Sequence, residues 1–230
     1  MRASDDLRDV PVFCSWSGGK DSALALHEAV SAGAVPRLLV AMMIESGARS
    51  RSHGLSREVL QAQAAALGLP LRFGAASWEG YEDELGRVIA AGAAEHGTPV
   101  GVFGDIDIES HREWVEGLSA RAGTEACLPL WQRDRRRLMA DLLDAGFKAV
   151  IVAVRDGVLS RELLGRTIDA ALVDEIERAG ADAAGENGEY HSLVTDGPMF
   201  RHPLAVELGE RSLRDGVWFA DAWVASPAPI

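Results

Sequence analysis

Lysine is almost missing from this chain: Lys20 and Lys148 are the only two among 23 lysines and arginines. Where arginine is the default cation, a retained lysine suggests a position that a guanidinium would not fill well. Cysteine is as scarce. Cys14 and Cys127 form no C-x-x-C pair, so neither a disulfide framework nor a zinc or redox motif of that spacing is indicated. No apolar run approaches membrane-spanning length, and the charged N-terminus has no signal core, which excludes a membrane partner and favours a cytoplasmic setting. An excess of positive charge is also lacking: the net charge is −12, which argues against broad nucleic-acid binding. The densest basic run, Arg133-Asp134-Arg135-Arg136-Arg137, opens an amphipathic helix and reads as a solvated face. There is no internal repeat. What remains is 47% hydrophobic and 25% charged over 230 residues, an ordinary globular balance that gives no indication of disorder.

The chain is organised around Ser15-Trp16-Ser17-Gly18-Gly19-Lys20-Asp21-Ser22. A buried strand, Val10 to Cys14, precedes it, and a helix from about Ala23 follows, with Ser22 as its N-cap and Gly33 beyond its end. Strand, glycine turn and helix make an anion cradle, because glycines admit close backbone approach and a helix N-terminus offers unpaired N–H groups. Lys20 adds a point charge; Ser17 and Ser22 add hydroxyls. Asp21 would repel a polyphosphate unless it holds a cation such as Mg²⁺. The pattern is neither the G-x-x-x-x-G-K-[ST] loop nor the dinucleotide fingerprint.

Strands and helices then alternate. Arg37 to Ile44 reads as a strand buried in a parallel sheet, and Arg57 to Leu67 as a helix. A possible short strand (70–76), a helix (81–96), a strand (100–103) and a helix (109–122) follow. This is an open parallel α/β sheet covered on both faces, whose ligands bind beyond the carboxyl ends of the strands. Three segments fall at such ends: 15–22, the long polar stretch 45–56 with His53, and Gly104-Asp105. A second, smaller lobe is expected beyond a boundary near 125–132, dividing the chain into residues 1–128 and 129–230. It holds a helix (133–145), a strand (147–154), a helix (167–179) and a final strand (217–224). Residues 1–9 read as a loose tail.

The other informative stretch, Gly185 to Pro198, reads as a glycine-rich loop ending in an Asp-Gly-Pro turn. Glu186 and Glu189 could accept hydrogen bonds from a substrate, hold Mg²⁺ or act as general base, and His191 could shuttle a proton. By itself, an acidic surface loop explains the stretch as well.

The loop at 17–22 resembles the S-G-G-x-D-S signature of PP-loop ATP pyrophosphatases (adenine nucleotide alpha hydrolase-like enzymes). With His53, Gly104-Asp105-Ile106, Pro129-Leu130-Trp131 and the Gly-Glu-x-Gly-Glu segment running to Asp196-Gly197-Pro198, the chain resembles the diphthine–ammonia ligase family over nearly its whole length. The resemblance implies a nucleotide-binding lobe and a lobe that helps bind the acceptor. It implies that ATP adenylates an acceptor carboxylate, releasing pyrophosphate, and that ammonia or an amine then displaces AMP. Carried over, Ser15, Ser17, Gly18, Gly19, Lys20, Asp21, Ser22, His53, Gly104 and Asp105 would form the ATP site, with Asp21 sharing Mg²⁺. Glu186, Glu189 and His191 would face a small-molecule or protein-borne acceptor; a homodimer is left open. The late motif departs from the family's Gly-Glu-Gly-Gly-Glu-Phe-Glu-Thr at Asn187, Tyr190, His191 and Ser192. His191 removes a negative charge where diphthine's trimethylammonium group would lie. The arginine-rich composition resembles a bacterial-type relative, which would need another acceptor.

Two other readings stand beside this one. A tRNA-modifying PP-loop enzyme would want a cysteine pair or a basic surface, and this chain has neither. A protein that senses ATP without turnover fits the same loop. His27, His96 and His202 read as surface or packing residues, and His111 as a helix-start residue with some claim to nucleotide contact. Trp114, Trp131, Trp218 and Trp223 read as core or interface, while Trp16 either packs the loop or flanks the nucleotide.

Overall fold

The computed structural model describes residues 1–225. Five parallel strands form the first sheet: β1 (Pro11–Ser15), β2 (Val35–Ile44), β3 (Leu71–Ala76), β4 (Val100–Val102) and β5 (Glu125–Cys127). Their order is β3-β2-β1-β4-β5. The crossovers are α1 (Lys20–Ser31), α2 (Arg57–Leu67), α3 (Tyr81–His96) and α4 (Glu109–Arg121). Because β1 lies between β2 and β4, the chain winds away from it in both directions, and the loops after β1 and β4 part to leave a crevice.

The apolar run in β2 is continuous because both faces of the sheet are buried. Leu39, Ala41 and Met43 enter one core; Leu38, Val40 and Met42 enter a second, under α3 and α4. After α5 (Arg135–Asp144) come β6 (Lys148–Arg155), α6 (Ala170–Arg178), β7 (Tyr190–Asp196), β8 (Val206–Arg214) and β9 (Val217–Val224). These strands form an antiparallel sheet in the order β7-β6-β9-β8. Phe147, Ile151, Val154 and Leu193 join the same core as Leu39 and Met43, so the second sheet packs directly on the α1–α2 side of the first.

Several expectations are corrected here. The first nine residues are not loose: Leu7 is fully buried, and the Arg2 N–H donates to Ala126 O at 2.8 Å. Ser22 does not cap α1. The helix begins earlier, with Gly19 as N-cap, because Gly18 turns the chain at φ 82°. The segment 190–196 is strand rather than loop, and β5 and β8 were not foreseen. The arginine run is not simply a solvated face. Arg133 pairs with Glu28 (3.0 Å) and Asp141 (2.6 Å), and Arg135 with Asp107 (2.5 Å) and Asp182 (3.0 Å). Arg136 pairs with Asp174 (2.6 Å) and with Glu177, and Arg137 with Asp141 (2.8 Å). Arg135 thereby ties α5 both to the segment after β4 and to the turn before β7. Among the described residues, no helix is long and apolar enough to cross a membrane.

Candidate active site

The crevice beyond β1 and β4 is a cleft of about 270 Å³. Ser15, Ser17, Lys20, Asp21, Ser22, His53, Gly104, Asp105, Glu186 and His191 all line it, so four segments far apart in sequence meet in one place. His111 lines it as well. Glycines make the meeting possible. A Cβ on Gly104 would lie 2.8 Å from Asp21 C and 2.9 Å from Ser22 N, so only glycine lets this loop lie against the start of α1. A Cβ on Gly19 would sit 2.4 Å from His53 Nε2. Gly18 and Gly19 shape the turn and do not line the cleft.

The start of α1 is held from both sides. The Gly19 N–H donates to Ser17 Oγ (3.3 Å) and the Lys20 N–H to Ser192 Oγ on β7 (3.1 Å). The N–H groups of Asp21 and Ser22 have no partner within the helix, whose first turn, with its positive end, lines the cleft. Lys20 is 4% exposed, and its Nζ bridges both oxygens of Asp21 at 2.9 and 2.8 Å. Burial is the largest single influence and opposes its charge, but Asp21, Tyr190 and Glu186 together outweigh it and hold the ammonium protonated well above its usual range. The same nitrogen lies 5.1 Å from the centre of the Tyr190 ring.

Glu186 is the group set apart from its ordinary range. Desolvation and the nearby Asp21 carboxylate push its pKa up to about 7, against the opposing pull of Lys20. The Ile106 N–H donates to it at 3.4 Å. His53 and His191 lie with ring centres 4.7 Å apart. Burial lowers both, His191 to about 4, so the pair is neutral at pH 7. His111 Nδ1 lies 3.4 Å from Asp105 Oδ1, and that hydrogen bond raises its pKa. The cleft thus places a buried cation, a helix N-terminus and a carboxyl group able to exchange a proton near neutrality within one space.

The Diphthamide synthase N-terminal domain model matches residues 11–126, and the Diphthamide synthase C-terminal domain model matches residues 134–223. The chain belongs to the diphthamide synthase family. A zebrafish (Danio rerio) protein named diphthine–ammonia ligase is 25% identical over 89% of this chain and 89% of its own length. Proteins of the same name from Schizosaccharomyces pombe and Homo sapiens are 30% and 27% identical over 41% and 51% of the chain. The matched segments span 16% of the yeast protein and 45% of the human one. Among solved structures, a predicted subunit of tRNA methyltransferase from Methanocaldococcus jannaschii aligns at 18% identity and TM-score 0.44, covering 82% of this chain and 98% of that one. That likeness is too distant to bear on function.

Within this diphthamide synthase family cleft, one expected residue is misplaced. Glu189 does not line it. The chain turns at Gly188 (φ 79°), and the Glu189 carboxylate instead accepts from the Asn187 side chain (3.1 Å) and the Asp182 N–H (3.4 Å). Burial would raise its pKa, yet those hydrogen bonds hold it below the usual carboxylate range. It ties up its own loop.

Three contributors went unforeseen. Gln63, fully buried on α2, accepts from Trp16 Nε1 (2.9 Å) and donates to Gly18 O (2.9 Å) and Val194 O (2.7 Å). It pins the loop to β7 and decides the role of Trp16, which packs the loop from behind at 2% exposure. Ser192 anchors Lys20, and Tyr190, whose hydroxyl donates to Ala183 O at 2.7 Å, forms the floor beneath its ammonium. The hint available in the sequence was the position of Tyr190 and Ser192 within the late motif, although that stretch read as loop.

Proposed function

We propose that this chain is an ATP-using ligase that adenylates an acceptor carboxylate and passes the acyl group to ammonia or an amine. The observation that carries the reading is the meeting of buried Lys20, at the start of α1, with Glu186, whose pKa lies near 7. The first suits a phosphate chain, and the second suits proton transfer at neutral pH. The names of the three relatives support the same reaction class. In this reading residues 1–128 supply the nucleotide site and residues 129–230 the acceptor site.

Ser15, Ser17, Lys20, Ser22 and the N–H groups at the start of α1 would hold the phosphates, with His53, Gly104 and Asp105 around the rest of the nucleotide. An acceptor carboxylate oxygen attacks the α-phosphorus, and the bond to pyrophosphate breaks. Nitrogen then attacks the acyl carbon, AMP departs with the electron pair of the C–O bond, and Glu186 takes the proton that nitrogen loses. The donor set suits Mg²⁺ only in company with ATP. Asp21 offers hard oxygens beside the phosphate loop, but among the described residues no three His, Cys, Asp or Glu side chains converge on a metal. When bound, Mg²⁺ would neutralise charge on the pyrophosphate oxygens. Neutral His191, beside the acceptor, supports an acceptor lacking the cationic group of diphthine.

The test is incubation with ATP, Mg²⁺, ammonium and a panel of carboxylic acids. AMP and pyrophosphate are the expected products. ADP and phosphate, or bound ATP that no acceptor converts to AMP, would overturn the reading.

A further inference from the structure

A second hollow, of about 470 Å³, adjoins the cleft and lies between the stretch after β2 and the β8–β9 hairpin. Ser52 and His191 line both spaces and form the wall between them. For a chain of net charge −12, the hollow is notably cationic: Arg49, Arg51 and Arg214 line it, with Trp78, Phe219 and one carboxylate, Asp215.

Two of these arginines are already engaged. Arg49 Nη1 lies 2.9 Å from Asp221 Oδ1 and donates to Gly54 O at 3.1 Å. Arg51 donates to Ala76 O and stacks 4.3 Å from the Trp78 ring centre, with its Nε alone left buried and unpartnered among the described residues. Arg214 differs. Its guanidinium sits 4.4 Å from the Phe219 ring centre, yet its Nε and Nη2 are buried and have no hydrogen-bond partner among the described residues. Donors of a permanent cation left dry in this way are costly unless a ligand supplies acceptors. Both nitrogens are closed to solvent in this structure, so the guanidinium has to turn toward the hollow before this edge can grip a carboxylate or phosphate through two parallel hydrogen bonds. Ser17, Lys20 and Ser22 line the first cleft and not this hollow, so an anion here would be distinct from the nucleotide phosphates.

We infer that the acceptor carries two anionic groups: the carboxylate that reacts, and a second carboxylate or phosphate-like group held by Arg214 in the adjoining hollow, with the molecule passing Ser52 and His191. This rests on the adenylation reading and gives its acceptor a chemical class.

Binding is measured on the full chain by ligand-observed NMR, with and without a non-hydrolysable ATP analogue. The probes are succinate, glutarate and adipate, 3-phosphonopropionate, and butyrate as the singly charged control. At least one di-anion should bind about tenfold or more tightly than butyrate, whether or not the analogue is present. The carboxylate and phosphonate arms read which second group is preferred. Arg214→Gln should abolish that preference. Arg214→Lys, which keeps the charge and stem but not the fork, should retain only part of it and serves if the glutamine variant fails to fold. Equal binding of butyrate and every di-anion, displacement by the ATP analogue, or wild-type affinity in either variant would overturn the inference. Because binding is read without turnover, the two readings fail separately. Di-anions that bind while no AMP ever forms would leave the hollow standing and remove adenylation; AMP formation without di-anion preference would do the reverse.

Discussion

Gln63 offers a strict test of how the phosphate loop is held. Gln63→Met keeps the length and most of the volume but removes three hydrogen bonds from a fully buried position. Gly18 O retains a partner, since the Val194 N–H also donates to it at 3.0 Å. Trp16 Nε1 loses its acceptor while staying buried, which costs about 1–3 kcal/mol. The other two bonds contribute about 1 kcal/mol each. A loss of about 3–5 kcal/mol is therefore expected, a large part of the ~5–15 kcal/mol that holds a domain together. For a chain of this size it corresponds to a fall in Tm of about 6–20 °C. Urea unfolding of wild type, Gln63→Met, Trp16→Phe and the double variant closes a cycle. The double variant no longer carries an orphaned indole N–H, so it should be more stable than the sum of the single losses by about 1 kcal/mol or more. ATP affinity, read by calorimetry, should fall in Gln63→Met, because Gly18 O is left with the Val194 N–H alone and Trp16 loses its anchor to α2. A urea midpoint within error of wild type, or additivity across the cycle, would refute the claim that this side chain holds the loop.

Three further outcomes follow from the geometry. Lys20→Met and Lys20→Arg should each weaken ATP binding by about 10- to 100-fold, since a charge-assisted contact is worth about 1.5–3 kcal/mol and a guanidinium does not fit the buried pocket over Tyr190; wild-type affinity in Lys20→Arg by calorimetry would refute it. Glu186 has a pKa of about 7 and must be unprotonated to accept a proton, so turnover should climb as pH rises through 7, and Glu186→Gln should be slow and lose that inflection while still binding ATP. A preserved inflection in the variant would assign it to another group. His191 is lowered to about 4 by burial, so the unfolded chain takes up its proton first; its contribution to stability is present above pH 6.5 and is lost as pH falls toward 4, at no more than about 1.4 kcal/mol per pH unit. His191→Asn should flatten that part of the Tm-versus-pH curve, and an unchanged acid slope would show that other groups set it.

How much of this was legible depends on whether the determining contacts are local. The apolar run of β2 and the glycine turn after β1 announce themselves, because burial on two faces and a chain reversal constrain the residues that form them. Lys20 was legible for a rarer reason: in a chain that otherwise uses arginine, its rarity pointed to the one place where a compact ammonium had to be enclosed. Gln63 was not. It sits among alanines on α2 as any polar helix residue might, and its partners lie 45 and 131 residues away in sequence, so nothing near it signals burial. Glu186 and Glu189 show a different limit. Both are glutamates three residues apart in a glycine-rich stretch, and composition treats them alike. The left-handed turn at Gly188 separates them, leaving Glu186 in the cleft and sending Glu189 back toward Asp182 and Asn187. From there the strand begins, and its alternation buries Tyr190 and Ser192 beside Lys20 while His191, between them, lines both the cleft and the arginine-rich hollow. The substitution that looked like a weakened motif in sequence is thus a neutral ring in the wall between two anion-seeking spaces, where a glutamate would have faced Lys20 from one side and the arginines from the other.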